Sequence, residues 1–598
     1  MKLIIALTLF GVPALRGADW KPAESPLTTP WTAQVNPGHA LPEYPRPQMA
    51  RKDWINLNGL WDYAIRPQEE RAAAKYDGQI LVPFPVESAL SGVKQALKPD
   101  ERLWYRRTFT APRLKGKRLL HFGAVDWRAE VWVNGKAVGK HEGGYDPFTF
   151  DITAALKGKG PEEIVVAVWD PSDSGPQPRG KQVLNPNSIW YTAVSGIWQT
   201  VWLEPVPEKS ISELSMIPDL DGRKLRLTVH SASSGEFTAI ASLGGKTAGR
   251  VSGKLNQECA LPLPDVRPWS PDAPTLYDLD ISLDGGDHVT SYFGMRKIEI
   301  RQDGAGIPRL FLNGQPLFAI GPLDQGWWPD GLYTAPTDEA LRFDIETLKK
   351  LGFNMCRKHV KVEPARYYYW CDKLGFLVWQ DMPSAMPKGH TAVRRGAAGD
   401  LEFTAPEDAI FRRELEALVR NLANVTSIIA WVPFNEGWGQ HDTNNILQWV
   451  KSLDGSRLVN APSGWEDRGY GDMKDMHEYP GPGMYPVMPG RASVLGEFGG
   501  LGLPVEGHLW WNKRNWGYRT FEDLAKLQAG YEDLMQKLEP LAKQGLAAAI
   551  YTQTTDVEGE VNGLMTYDRK VVKYDAAKLA EWHRRIIAAA AQGKAAGK

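Results

Sequence analysis

Glu436 and Glu497 each follow an apolar run, and each is flanked by aromatic residues and glycine. The first sits in Trp431-Val432-Pro433-Phe434-Asn435-Glu436-Gly437-Trp438, the second in Ser493-Val494-Leu495-Gly496-Glu497-Phe498-Gly499-Gly500. An isolated loop glutamate is ordinarily a solvated surface group. Two that end buried strands can instead share one reaction. One carboxylate attacks an anomeric carbon, and the other, about 5–5.5 Å away, protonates the departing oxygen and later deprotonates water. Like charges that close raise one of the two pKa values, which keeps one carboxyl protonated near neutral pH.

Such a pair needs a scaffold that brings distant strand ends together. After about Gln302 apolar strands alternate with helical stretches, the rhythm of a parallel barrel. The expected strands are 316–320, 353–357, 376–380, 428–434, 457–460, 474–478, 493–497 and 547–551. That makes the eight a (β/α)8 TIM barrel requires, with the fourth and seventh facing each other across the mouth. Leu341, Ile345 and Leu348 have helical spacing, with Thr337 placed to cap that helix and Gly352 to end it. Barrel active sites lie at the C-terminal strand ends, so residues just past each strand are candidates to line the site. These include Asp324, Trp327 and Trp328 after the first strand and Trp511 after the seventh.

Upstream, residues 19–205 read as a β-sandwich of jelly-roll type. Its clearest hairpin alternates through Ala129, Val131 and Val133 and turns at Asn134-Gly135. Residues 206–303 read as an immunoglobulin-like sandwich, and 304–598 as the barrel. Met1-Lys2, the apolar run Leu3–Leu15 and small residues at Gly17 and Ala18 read as a signal peptide over 1–18, which implies a secreted or periplasmic protein. That run is shorter than the ~20 residues of a membrane span, and no later stretch replaces it.

These motifs resemble glycoside hydrolase family 2, the β-galactosidase, β-glucuronidase and β-mannosidase group, over nearly the whole mature chain. Val133-Asn134-Gly135-Lys136-Ala137-Val138-Gly139, followed by His141-Glu142-Gly143-Gly144-Tyr145-Asp146-Pro147-Phe148, is similar to the family's sugar-binding signature. Ser195-Gly196-Ile197-Trp198-Gln199 is similar to its later glycine–tryptophan strand entry. The resemblance implies that Glu436 is the acid/base, Asn435 the ligand of the sugar 2-hydroxyl and Glu497 the nucleophile. Asn354-Met355-Cys356-Arg357-Lys358-His359 resembles the second-strand motif, which implies that Arg357 and His359 line the site. Asp381 falls where the family often carries an acidic sugar ligand, although this chain departs from the pattern with Gln380-Asp381-Met382-Pro383. Tyr479 resembles the tyrosine that orients the nucleophile.

Composition narrows the substrate. Lys+Arg 70 against Asp+Glu 71 gives a net charge of −1, with no charge run to attract nucleic acid. Three cysteines, Cys259, Cys356 and Cys371, provide neither a disulfide framework nor metal-ligand spacing, so no cofactor and no Zn-type metal site are expected, while a Mg²⁺ or Na⁺ held by carboxylates near the mouth stays open. The 24 tryptophans suit sugar faces as well as cores. The family's glucuronidases place an Asn-x-Lys motif after the eighth strand; here the chain reads Asn562-Gly563-Leu564, beside Asp556, Glu558 and Glu560. A retaining exo-β-glycosidase acting on a terminal neutral sugar of an oligosaccharide or polysaccharide is therefore expected. Galactoside leads because Asp170 or Asp173 could reach the barrel mouth. β-Glucuronidase, β-mannosidase and β-arabinosidase are the alternatives, as is a non-catalytic sugar-binding protein. The loop 384–403, with Arg394 and Arg395, would sit over the third strand as a lid or subsite wall.

Overall fold

A computed structural model describes residues 20–112, 115–389, 391–460 and 462–592; the expected leader, 1–18, lies outside them. The chain begins with two facing antiparallel sheets. One has six strands, in the order Gly78–Val82, Gly59–Pro67, Glu101–Phe109, Glu162–Trp169, Arg128–Val133, Lys136–Glu142. The other has four, in the order Ile55–Asn56, Val201–Val206, Lys117–Phe122, Phe148–Asp151. Alternation decides which residues meet between them: Ala129, Val131 and Val133 point inward with Ile164, Val166 and Leu120. The hairpin turns at Asn134 (φ 51°) and Gly135 (φ 75°), the left-handed pair a two-residue connection requires.

A second, smaller sandwich follows. Glu213–Asp219, Lys224–His230 and Cys259–Pro262 form one sheet, and Lys246–Lys254, Glu236–Leu243, Tyr277–Leu283 and His288–Phe293 the other. Buried Arg51 ties the two sandwiches together, reaching Glu204 at 2.6 Å and Asp287 at 2.6 Å. Removing one partner would strand a buried charge, at a cost of about 3–5 kcal/mol. Arg296 continues the chain of contacts to the barrel by donating to the carbonyls of Thr426, Ile428 and Ser456.

The barrel strands are β1 (Ala319–Asp324), β2 (Met355–Lys358), β3 (Leu377–Asp381), β4 (Ile428–Val432), β5 (Leu458–Val459), β6 (Met473–Glu478), β7 (Ala492–Gly499) and β8 (Leu546–Thr552). They pair in parallel as an eight-stranded sheet in the order β5-β4-β3-β2-β1-β8-β7-β6. A parallel bridge from Asn460 to Met473 joins its two edges. The first strand differs from the expected 316–320. Asn313-Gly314 turns Gln315–Leu317 back against Pro308–Leu312 as an antiparallel hairpin, and β1 starts only at Ala319. That hairpin packs Leu310 and Leu312 with Ala319, Met355 and Val494.

The helix after β1 runs Asp338–Lys350. Thr337 Oγ1 accepts from Ala340 N at 3.1 Å, and Gly352 takes φ 85° beyond the other end. The last helix runs Ala576–Gln592. Trp61, Trp104, Trp198, Trp269, Trp327, Trp328, Trp379 and Trp431 are fully buried and serve packing. No described helix is long and apolar enough to cross a membrane.

Candidate active site

The C-terminal strand ends converge on one bowl. The segment after β4 delivers Asn435 and Glu436, and β7 carries Glu497 within the strand itself. Glu436 adopts φ 50°, a left-handed conformation costing a non-glycine residue of order 1–3 kcal/mol unless its surroundings impose it. They do so here: Glu436 N donates to the carbonyl of Ser463 at 2.9 Å, and Ser463 N donates to that of Phe434 at 3.0 Å. The strained turn aims the Glu436 carboxyl back across the mouth toward β7.

Glu497 is 5% exposed and held from three sides. Arg357 Nη1 donates to Oε1 at 3.2 Å, Tyr479 OH donates to Oε2 at 2.7 Å, and His477 Nδ1 lies 3.4 Å from Oε2. Burial pushes its pKa up, but the charges of His477 and Arg357 and the tyrosine hydrogen bond outweigh burial and hold it well below the usual carboxylate range. His477 Nδ1 also lies 2.8 Å from Glu436 Oε1. One atom each of Glu436, His477 and Glu497 falls within 4.8 Å of the others. Such spacing could enclose a cation, but the hydrogen bonds of the imidazole account for it without one. Burial lowers the His477 pKa, yet Glu497, Glu436 and Asp475 together bring it above the ordinary imidazole value.

Arg357, fully buried on β2, is the hub. Its Nε and Nη2 clasp Asp381 at 3.0 and 2.9 Å, and Nη2 also donates to Asn435 Oδ1 at 2.7 Å. That bond fixes the Asn435 amide so that its Nδ2, buried and without a protein partner among the described residues, is left as a free donor. Asp381 itself lies behind the bowl: both its oxygens are taken by Arg357, and Oδ2 also by His359 Nδ1 at 2.9 Å. His359 is driven well below its ordinary pKa by burial and by Lys181 and Arg357, so it is neutral. Its Nδ1–H donates to Asp381, leaving Nε2 as an acceptor.

Asp324 ends β1 in a buried cluster, accepting from Lys358 at 2.8 Å and Tyr367 at 3.0 Å rather than opening to the bowl. Trp511 packs over Gly559. Tyr479 stacks on the exposed Tyr518 with ring centroids 3.6 Å apart, which offers a flat aromatic face at the rim. A cavity of about 370 Å³ where the three domains meet, lined by Tyr145, Trp198 and Glu414, includes neither Glu436 nor Glu497.

Several assignments made from sequence change in three dimensions. Asp170 does not reach the barrel mouth: it is 1% exposed and bound within the first domain by Ser195 Oγ at 2.7 Å and Ser172 N at 2.7 Å. The first domain instead inserts Lys181, which is 5% exposed. Its Nζ stands 5.3 Å from the Tyr191 ring and 5.9 Å from that of Trp438, within electrostatic reach of Glu560, Glu497 and Glu436. The acids after β8 are engaged elsewhere. Asp556 pairs with Lys573 at 2.7 Å, Glu558 accepts from Thr192, and Glu560 accepts from Tyr191 OH and Asn562. The loop 384–403 bridges the first domain and the Glu436 turn. Ser384 O accepts from Arg179 N and Gly180 N, and Val393 N donates to Gly437 O. Arg395 lies over Trp465, its guanidinium carbon 4.7 Å from the ring centroid. His477 and Lys181 had no local sequence signal: one is a residue within a short strand, the other lies in a different domain.

Three sequence models match the chain. Those described as "Glycosyl hydrolases family 2, sugar binding domain", "Glycosyl hydrolases family 2" and "Glycosyl hydrolases family 2, TIM barrel domain" match residues 73–207, 211–296 and 334–478. The chain belongs to glycoside hydrolase family 2. Among family 2 relatives, the β-galactosidase of Thermoanaerobacter pseudethanolicus is 26% identical over 68% of this chain and 55% of its own length. The β-galactosidase of Aeromonas hydrophila is 28% identical over 61% of this chain and 36% of its own length. The chain thus spans about half or less of these relatives. The fold matches solved β-glucuronidases at 18% identity. For that of Dictyoglomus thermophilum the TM-score is 0.71, over 90% of this chain and 98% of the other. For that of Ruminococcus gnavus it is 0.72, over 92% and 100%. Glu436 and its turn fall inside the matched family 2 barrel segment, and Glu497 lies beyond it.

Proposed function

We propose that this family 2 protein is a retaining exo-β-glycosidase in which Glu497 attacks the anomeric carbon and Glu436 serves as acid, then base. The observation that carries the reading is the spacing of the two carboxyls, which offer oxygens within 4.8 Å of each other. Retention uses carboxyls about 5–5.5 Å apart, whereas inversion leaves about 6.5–9.5 Å for a water between them. Glu497, held ionised by Arg357 and Tyr479, suits the nucleophile, and Glu436, whose side chain is 14% exposed, suits proton exchange with leaving group and water. The free Nδ2 of Asn435 is placed to donate to a sugar hydroxyl beside the reacting carbon. Closure of the bowl by the first domain and the loop 384–403 favours a terminal sugar over an internal one.

A terminal neutral sugar, galactoside first, is the substrate we propose, in line with the β-galactosidases among the relatives. Lys181 favours a second reading, a uronide. Its ammonium has no hydrogen-bond acceptor among the described residues, and of the acids after β8 Asp556 is paired with the cation Lys573. A panel of nitrophenyl β-galactoside, glucoside, mannoside, arabinoside and glucuronide, with the product anomer read by NMR, tests both. Turnover with β-product is expected; a folded protein that binds sugars but cleaves none would be a binding protein instead. The leader-like segment 1–18 supports export of the mature chain.

A further inference from the structure

The hydrogen bonds around His477 locate a proton. Asp475 accepts from Gly496 N at 2.6 Å on Oδ1, and from Asn460 Nδ2 at 2.5 Å and Ser463 Oγ at 2.7 Å on Oδ2. A carboxylate so engaged only accepts, so the single hydroxyl hydrogen of Ser463 goes to Asp475. Ser463 Oγ then presents a lone pair to His477 Nε2 at 2.8 Å, closer than the 3.4 Å Nη1 of Arg357, which can only donate; the shorter contact places a hydrogen on Nε2, directed at Ser463. The other nitrogen follows. Nδ1 lies 2.8 Å from Glu436 Oε1, so one proton must lie between them. Either an imidazolium donates to a carboxylate or a carboxylic acid donates to the imidazole lone pair; in both cases the pair holds one proton.

We propose that His477 is the proton-holding partner of Glu436, so that the acid of the reaction is a Glu436–His477 pair. This rests on the function proposed above. In the first step the shared proton passes through Glu436 to the departing oxygen as the C1–O bond breaks and the C1–Oε bond to Glu497 forms. The Nδ1 lone pair then faces the Glu436 carboxylate with no proton between, which makes Glu436 more basic. In the second step Glu436 takes a proton from water, the hydroxide oxygen bonds C1, the bond to Glu497 breaks, and the proton returns to the pair.

Charged groups face His477 from several elements. Glu436 comes from the turn after β4, Glu497 from β7, and Asp475, on its own strand, acts through Ser463. Arg357 Nη1 on β2 lies 3.4 Å from Nε2, and neutral His359 stands beyond it. Gly464 backs the ring closely; an added Cβ there would fall 3.1 Å from Nδ1. The carboxylates outnumber the guanidinium and raise the His477 pKa, so the proton is held to higher pH than on an ordinary imidazole.

The test compares kcat/KM against pH for a phenyl β-glycoside, whose leaving group needs a proton, and a 2,4-dinitrophenyl β-glycoside, whose leaving group does not. His477→Asn keeps an N–H donor beside the carboxylates but no titrating nitrogen. It is expected to lower kcat/KM on the phenyl glycoside at least about tenfold at pH 7. It should also move the alkaline limb to lower pH by about one unit or more; because His477 also stands 3.4 Å from Glu497, the dinitrophenyl value falls as well, but at least about threefold less than the phenyl value. Ser463→Ala, which removes the acceptor of Nε2–H, should shift the same limb by less and provides the reading if the asparagine variant does not fold. An unmoved alkaline limb, or equal loss on both aglycones, overturns the inference. A wild-type protein inert on every glycoside instead overturns the proposed function beneath it.

Discussion

The two walls of the bowl are built on opposite principles. On the β7 wall Glu497 sits within a regular strand, 5% exposed, with Arg357, Tyr479 and His477 around its carboxylate. On the β4 wall Glu436 sits on a left-handed turn, its side chain 14% exposed and hydrogen-bonded, among the described residues, to His477 alone. A nucleophile gains from being ionised and immobile before substrate arrives, since reorganisation during the reaction would cost activation energy. A group that alternates between acid and base gains from few fixed bonds and an open path to water.

Breaking each wall in turn should expose the difference. Glu497→Ala is expected to give the largest effect, a fall in kcat on the order of 10⁴-fold or more on every substrate, because no other group can form the covalent intermediate. Glu436→Ala should cost about 10²- to 10⁴-fold on poor leaving groups and much less in kcat/KM on activated ones, as measured on the two aryl glycosides. If both variants lost activity equally on both aglycones, the division of roles would fail. Tyr479→Phe removes one hydrogen bond to a charged carboxylate, worth about 1.5–3 kcal/mol, and should lower kcat about 10- to 100-fold. It should also raise the Glu497 pKa, moving the acid limb of the pH profile upward, because the tyrosine donor helps hold that pKa down. The smallest effect belongs to the rim. Lys181→Gln should change the ratio of glucuronide to galactoside kcat/KM by about tenfold at most, with the uronide losing more if Lys181 meets a carboxylate. An unchanged ratio would confine Lys181 to packing against Tyr191 and Trp438.

The carboxyl pair was legible before any coordinates because apolar strands ending in Asn435-Glu436 and in Glu497 leave a local trace. Strand alternation and the Asn134-Gly135 turn were legible for the same reason: each is set by neighbours a few residues apart. Asp381 and Asp324 were candidates to line the site because each follows a strand; only the positions of Arg357, His359 and Lys358 show their oxygens already committed. Asp170 or Asp173 was read as the first domain's reach into the barrel; Asp170 is bound within its own domain, and it is Lys181 that enters, next to where Arg179 N and Gly180 N donate to Ser384 O.

The sequence by itself therefore determined which strands end in carboxyls, the kind of scaffold that holds them and the family to which the chain belongs. Tertiary structure alone decided which charges pair, which donors stay free and that His477 meets Glu436. Those depend on contacts between residues far apart in the chain, and the energy of a buried charge is set by the groups around it rather than by its neighbours in sequence.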